Sequence, residues 1–166
     1  MRYLLPLALA LGLIGCATTP QQHQAQRANN SRVGKIMTVR TTAYTQTEAG
    51  GWHNAIGGRL HFGGVEYSAA SDWSWMPLGT RFKLLSTDHE YVIEDYGSAL
   101  VNKQTIDLFF PSRKQMRNWG VRYEQIKILE WGSGAMSLKL LSGRCKNSHV
   151  RVMVAQLKKQ GVVPSS

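Results

Sequence analysis

The chain has few cysteines, few acidic residues and no long apolar run. Its 166 residues include two cysteines, Cys16 and Cys145. Cys16 reads below as a lipidated anchor, so Cys145 has no intramolecular partner. A disulfide framework and a cysteine-based metal site are both excluded. Ten acidic residues face twenty Lys and Arg, a formal net charge of +10. That excess suits nucleic acid, acidic lipid or an anionic cell-wall polymer. No nucleic-acid-binding motif is present, and export sets nucleic acid aside. The five histidines, at positions 23, 53, 61, 89 and 149, lack the i,i+4 spacing and carboxylate company of a metal site. Neither a metal nor another cofactor is expected. Gly97-Ser98-Ala99 does not complete a Gly-x-Ser-x-Gly nucleophile elbow. No segment has the ~20 apolar residues that a spanning helix needs. The length suits one domain with a usable core.

Met1-Arg2 followed by an apolar run from Tyr3 to Gly15 has the layout of a secretory signal. Leu13-Ile14-Gly15-Cys16 resembles the bacterial lipobox, in which the cysteine thiol takes a diacylglycerol and becomes the new N-terminus. Residues 1–15 are therefore expected to be a signal peptide, and Cys16 a lipid anchor that buries CH₂ groups without a spanning helix. Ala17 after the cysteine fits sorting to an outer membrane, facing the periplasm. Residues 16–33 contain no aromatic residue and little to bury, so they read as a disordered tether. As a random coil that tether would span on the order of 20 Å.

From Gly34 to Gly132 the text changes to short strand-like runs. Met37, Val39, Thr41 and Ala43 alternate with Thr38, Arg40, Thr42 and Tyr44; Arg81 to Leu84, Tyr91 to Asp95, Thr105 to Phe110 and Tyr123 to Trp131 behave likewise. Glycine and proline turns separate them. One short helix is signalled after Pro111, capped by Ser112, boxed by Gln115 and ended by Gly120. Many short strands, tight turns and one brief helix argue for a mainly β fold, a small closed β-barrel. Residues 133–166 form a basic C-terminal extension, with a helix over 148–160 carrying Val150, Met153, Val154 and Leu157 on one side. That helix reads either as a solvated element packed on the barrel or as a patch for anionic polymer or phospholipid.

Three carboxylates stand in distinctive contexts: Ala70-Ser71-Asp72, Glu94-Asp95-Tyr96-Gly97 and Ile106-Asp107-Leu108. Alternation turns Asp107 to the face opposite Ile106 and Leu108. Shouldered by Phe109 and Phe110, its carboxyl would be partly desolvated and its pKa raised, as a general acid near neutral pH requires. Asp95 closes a strand and could lie beside Asp107 if the two strands meet. Its charge would raise the Asp107 pKa further and support an oxocarbenium-like transition state. A turn or edge role for either residue is the plainer reading of the pattern alone. Asp72 reads as structural, bonding backbone N–H groups of the turn that follows it.

Thr42-Ala43-Tyr44-Thr45, Ile56-Gly57-Gly58, Ala70-Ser71-Asp72, Pro77-Leu78-Gly79-Thr80, Glu94-Asp95-Tyr96-Gly97-Ser98-Ala99-Leu100 and Ile106-Asp107-Leu108 occur in that order between Thr41 and Trp131. This series resembles the 3D domain, named for three aspartates and shared by the membrane-bound lytic transglycosylase A family and by bacterial cell-wall proteins. The resemblance implies a six-stranded double-psi β-barrel. It implies Asp107 as the catalytic acid and Asp95 as its neighbour in the groove. Tyr44 and the turn Tyr96-Gly97-Ser98 become candidates for binding substrate. Rings at Tyr44, Trp52, Trp73, Trp75 and Tyr96 could stack on sugars, with Tyr44 and Tyr96 favoured because they flank motif turns; core packing is the competing reading for each.

The sequence departs from the family where Ser98-Ala99-Leu100 replaces Gly-Gly or Gly-x-Ile and where Val101-Asn102-Lys103 replaces Ile-Lys-Gly. No counterpart of the transglycosylase's large second domain is expected, so the groove should be shallower. The expected function is lytic transglycosylation of peptidoglycan, Asp107 serving as acid and then as base, with glycan strands as partner. A non-catalytic peptidoglycan-binding lipoprotein and a hydrolase on another polysaccharide are the alternatives. The hydrolase would need Asp95 or Glu94 to activate water.

Overall fold

A period of two with one greasy side makes a strand that must bury that side, and six such strands satisfy one another here by closing on themselves. The computed structural model describes residues 31–48 and 51–165. The expected signal peptide, Cys16 and all but the last residues of the expected tether fall outside them. The strands are β1 (Ile36–Tyr44), β2 (Tyr67–Ala70), β3 (Arg81–Leu84), β4 (His89–Asp95), β5 (Thr105–Phe109) and β6 (Arg122–Glu130). They form a closed barrel in the order β1-β5-β2-β4-β3-β6. Two pairs are parallel, β1 with β5 and β2 with β4, and the antiparallel pairing of β2 with β5 joins them. This is the double-psi arrangement that the resemblance implies.

The barrel interior takes Val39, Ala69, Phe82, Leu84, Tyr91, Ile93, Ile106, Leu108, Ile126 and Ile128, all buried. Strand β2 escaped the alternation pattern because it is covered on both faces. Ala69 is buried in the barrel core, and Ala70 on the opposite face is buried with Leu60, Tyr44 and Phe109. Such strands show continuous burial rather than a period.

Helix α1 (Arg113–Trp119) begins where the sequence signals it, with the Gln115 N–H donating to Ser112 Oγ at 3.3 Å. It ends at Gly120, whose φ of 64° favours glycine. Its Trp119 indole N–H donates to Thr41 Oγ1 at 3.2 Å, fastening the helix to β1.

The C-terminal extension holds two helices where the pattern shows one: α2 (Gly134–Ser142) and α3 (Ser148–Lys159). Leu138, Leu141, Val150, Met153, Val154 and Leu157 share a cluster with Trp73, Met76 and Leu78 of the loop after β2. Each fully buried aliphatic side chain contributes about 1.5–3 kcal/mol. The extension is thus part of the core. Among the described residues no helix is long and apolar enough to cross a membrane.

Candidate functional site

The site lies on the outer wall of the barrel, where β1, β5, β2 and the end of β4 run side by side. Alternation sends Arg40, Thr42 and Tyr44 of β1 outward, and the parallel register sets them against Thr105, Asp107 and Phe109 of β5. Ala70 of β2 pairs with Asp107 on one side and with Asp95 on the other. Strands sit about 4.8 Å apart, so the two aspartates stand roughly 10 Å apart at their Cα atoms with a methyl group between them. A register shift between Ala69 and Ala70 brings Asp95 to this position and makes Glu94 the extra residue.

An outer wall would ordinarily face water, but this one is covered. Leu60 of the segment 51–66 joins Tyr44, Ala70, Leu100 and Phe109 in a second apolar cluster, with Phe62 against it. The covering segment is held by backbone and side-chain bonds. Leu60 N–H donates to the Trp52 carbonyl at 2.8 Å, and Asn54 Oδ1 accepts from Gly58 N–H at 2.7 Å. His61 N–H donates to Ser68 Oγ at 2.8 Å, and its imidazole Nε2 lies 3.5 Å from the buried Glu94 carboxylate, which also accepts from the Ser68 hydroxyl.

Both aspartates respond to this cover. Burial pushes Asp107 up to about 6, with Glu48 and Asp95 adding repulsion. The Thr42 hydroxyl, donating to Oδ1 at 2.6 Å, and the Arg40 guanidinium act against that rise. Burial likewise pushes Asp95 up to about 6, helped by Glu94 and opposed by the N–H groups of Tyr96, at 2.9 Å, and of Ala55. Burial, with the nearby carboxylates of Asp95 and Asp107 adding to it, drives the Tyr44 hydroxyl well above the usual tyrosine range. That hydroxyl makes no hydrogen bond of standard geometry.

Two clefts open along this wall, one on either side of Asp107. The first, about 350 Å³, is lined by Trp52, Arg59, Leu60, His61, Phe62 and Phe109, with Pro111 at its edge. The second, about 470 Å³, is lined by Thr38, Arg40, Lys103, Gln104, Thr105 and Tyr123.

The structure therefore brings Asp95, Asp107 and Tyr44 together and leaves Asp72 apart. Asp72 is buried 1% exposed; its Oδ1 accepts from the Ser74 N–H and hydroxyl at 2.8 and 2.6 Å, and its Oδ2 from Asn102 N–H at 2.8 Å. Asn102, at a φ of 61°, is thereby held in the left-handed region. Gln156 of α3 bonds both Ser74 and Asn102.

The aromatic candidates differ in exposure. Tyr44 is 8% exposed with Phe109 packed on its ring, so it has no face free for a sugar. Tyr96 is edge-on to Trp73 and flanked by His149 and Arg144 on the side of the C-terminal helices. Trp73 is fully buried, its indole N–H donating to the Asp95 carbonyl at 2.9 Å. Trp52, 41% exposed and edge-on to Phe109, is the ring that borders the first cleft. Gly97 and Ser98 lead into a 3₁₀ turn over Ser98–Leu100 whose Leu100 enters the covering cluster. Sequence reasoning offered Trp52 as a possible sugar-stacking ring and Glu94 as a possible base, and singled out neither Thr42 nor Leu60; Thr42 carried a signal in its place in the strand motif.

Residues 67–130, from β2 to β6, match the family model of the 3D domain. The chain carries a 3D domain. Two proteins of Bacillus subtilis are similar over a longer stretch. One, YabE, is named for cell wall shaping and is 34% identical over 102 residues, which is 61% of this chain and 25% of that protein. The other, YocH, is named a cell wall-binding protein and is 30% identical over 112 residues, 67% of this chain and 38% of that protein. The chain thus spans well under half the length of either relative. Among the described residues no group of His, Cys, Asp and Glu is suited to a metal ion.

Proposed function

We propose that this 3D domain acts on peptidoglycan as a lytic transglycosylase, cleaving the bond between N-acetylmuramic acid and N-acetylglucosamine. The observation that carries the reading is the pair of desolvated carboxyls on either side of Ala70, each pushed up to about 6. A group with that pKa exchanges a proton readily near neutral pH.

Asp107, protonated, donates to the glycosidic oxygen as the bond from that oxygen to the anomeric carbon breaks. Asp95, ionised, stabilises the developing oxocarbenium charge. The C6 hydroxyl of the same sugar then attacks the anomeric carbon and returns its proton to Asp107. The product is a 1,6-anhydro sugar, no water is consumed, and the acid is regenerated. Tyr44 holds its hydroxyl against Asp95 and so acts as a positioning residue rather than as a sugar platform. Thr42 fixes the Asp107 carboxyl through Oδ1. Asp72 shapes the 98–103 loop.

Digestion of purified sacculi with the full chain tests this, anhydromuropeptides being the product sought by mass spectrometry. Unchanged product from Asp107→Asn would sink the assignment. A second reading is a non-catalytic peptidoglycan-binding protein. It is favoured by the name of the cell wall-binding relative and by clefts that are open rather than deep. Sacculus retention without soluble product would select it.

The same reading locates the protein in the cell envelope, with Cys16 lipidated and the anchor in an outer membrane. Radiolabelled palmitate incorporated by the full chain and lost in Cys16→Ala would support the anchor. Membrane fractionation would identify which membrane carries it.

A further inference from the structure

Thr105, Asp107 and Phe109 alternate onto one face of β5. A strand advances about 3.3 Å per residue, so each neighbour lies roughly 7 Å from Asp107 along the wall. The two clefts begin at those neighbours, Thr105 bordering one and Phe109 the other. They differ in chemistry. The Phe109 side presents Trp52, Leu60 and Phe62, apolar surfaces on which the C–H face of a neutral sugar stacks. Its two basic side chains are engaged, His61 with Glu94 at 3.5 Å and Arg59 over the Trp52 ring at 5.3 Å. The Thr105 side presents Arg40 and Lys103. Arg40 donates to Thr105 Oγ1 at 3.3 Å, and among the described residues neither cation is in an ion pair.

We propose that this wall is a glycan groove with a chemical direction. The Arg40–Lys103 cleft takes a carboxylate-bearing sugar unit, the Trp52–Phe109 cleft takes a neutral one, and the bond between them crosses Asp107. This rests on the glycan reading above and adds the direction in which the strand lies. The alternation of charged and neutral units in the substrate then sets which bonds reach the acid. A bound carboxylate also partly neutralises Arg40, relieving the cation that acts against protonation of Asp107.

Calorimetric titration of the full-length Asp107→Asn variant, which binds without turnover, tests the direction. The probes are neutral chitohexaose, peptide-free glycan strands that keep their lactyl carboxylates, and the same strands with peptide stems. Adding Lys103→Gln is expected to weaken binding of carboxylate-bearing strands roughly three- to fivefold at low salt and to leave chitohexaose unchanged. Trp52→Ala is expected to weaken all three. A Lys103 effect on peptide-free strands assigns the lactyl carboxylate, and an effect confined to peptide-bearing strands assigns the stem. Equal change for charged and neutral probes, or none, overturns the direction while leaving the glycan reading intact. Failure of every probe to bind overturns both. Lys103 is exposed, so its variant should melt as the parent does.

Discussion

Asp95 and Asp107 stand on either side of Ala70, which is the register partner of both. No larger side chain fits that place, because Ala70 is 4% exposed beneath Leu60 and Phe109. Ala70→Val should cost about 1–3 kcal/mol by overpacking, and should abolish glycan cleavage by lifting the cover or parting the carboxyls. A melt that stays cooperative alongside a lost anhydromuropeptide signal is the expected pair of results. Full activity would show that the spacing is not used.

The raised carboxyls also tax the fold. Folding raises each aspartate from its ordinary 3.8 to about 6, so between those values the native state holds more protons than the unfolded chain. Stability is therefore greatest below about 4 as far as these groups are concerned, and is lost as pH rises through 6. Two units amount to about 3 kcal/mol per carboxyl. Asp107→Asn or Asp95→Asn should raise the Tm at pH 7 and give little gain at pH 4. Equal gains at both values would argue against burial as the cause.

Catalysis by one protonated and one ionised carboxyl gives a bell-shaped pH profile centred near 6, whose two limbs belong to the pair. Thr42→Val removes a hydrogen bond that favours the charged form of Asp107. The alkaline limb should then move upward, by about one unit at most. Rates across pH 4 to 9 on a soluble glycan check this; a downward shift contradicts the assigned role of Thr42.

Much of this arrangement was legible in the chain because strand alternation is local. The period of two set Thr42 on the face of β1 opposite Thr41 and Ala43, and Asp107 on the face of β5 opposite Ile106 and Leu108, and Ser112 and Gly120 bounded α1. What alternation could not carry was the cover. Leu60 and Phe62 lie in a glycine-spaced segment with no period, and their packing on Ala70 and Phe109 is decided by long-range contact alone. The burial of Tyr44 and the exposure of Trp52 were out of reach for the same reason, since proximity to a motif turn says nothing about what sits on a ring. Helix α2 was missed because Gly134, Ser137 and Ser142 dilute a short apolar stripe whose burial comes from the loop after β2.

Asp72 offers a test of architecture separate from chemistry. It satisfies two backbone N–H groups and one hydroxyl while buried. Asp72→Ala should cost about 2–4 kcal/mol by stranding those donors. Hydrogen exchange should quicken first at Asn102, the residue whose left-handed backbone it holds.

Gly132 is fixed by its surroundings. A Cβ there would run into the carbonyls of Pro77 and Leu78 and the amide of Thr80, and its N–H donates to Thr80 Oγ1 at 3.0 Å. Gly132→Ala should unfold the junction between barrel and C-terminal helices and lower the Tm by more than any surface variant. A melt within a degree or two of the parent would contradict this close approach.

Closure of the six strands has a further consequence. An open sheet offers its border to any extended peptide, which can dock by continuing the backbone hydrogen bonds. Every strand of this barrel already has a neighbour on both sides. Partners must therefore be chosen through side chains and loops. Among the described residues the barrel thus presents no wholly open strand through which a basic protein could bind extended polymers indiscriminately.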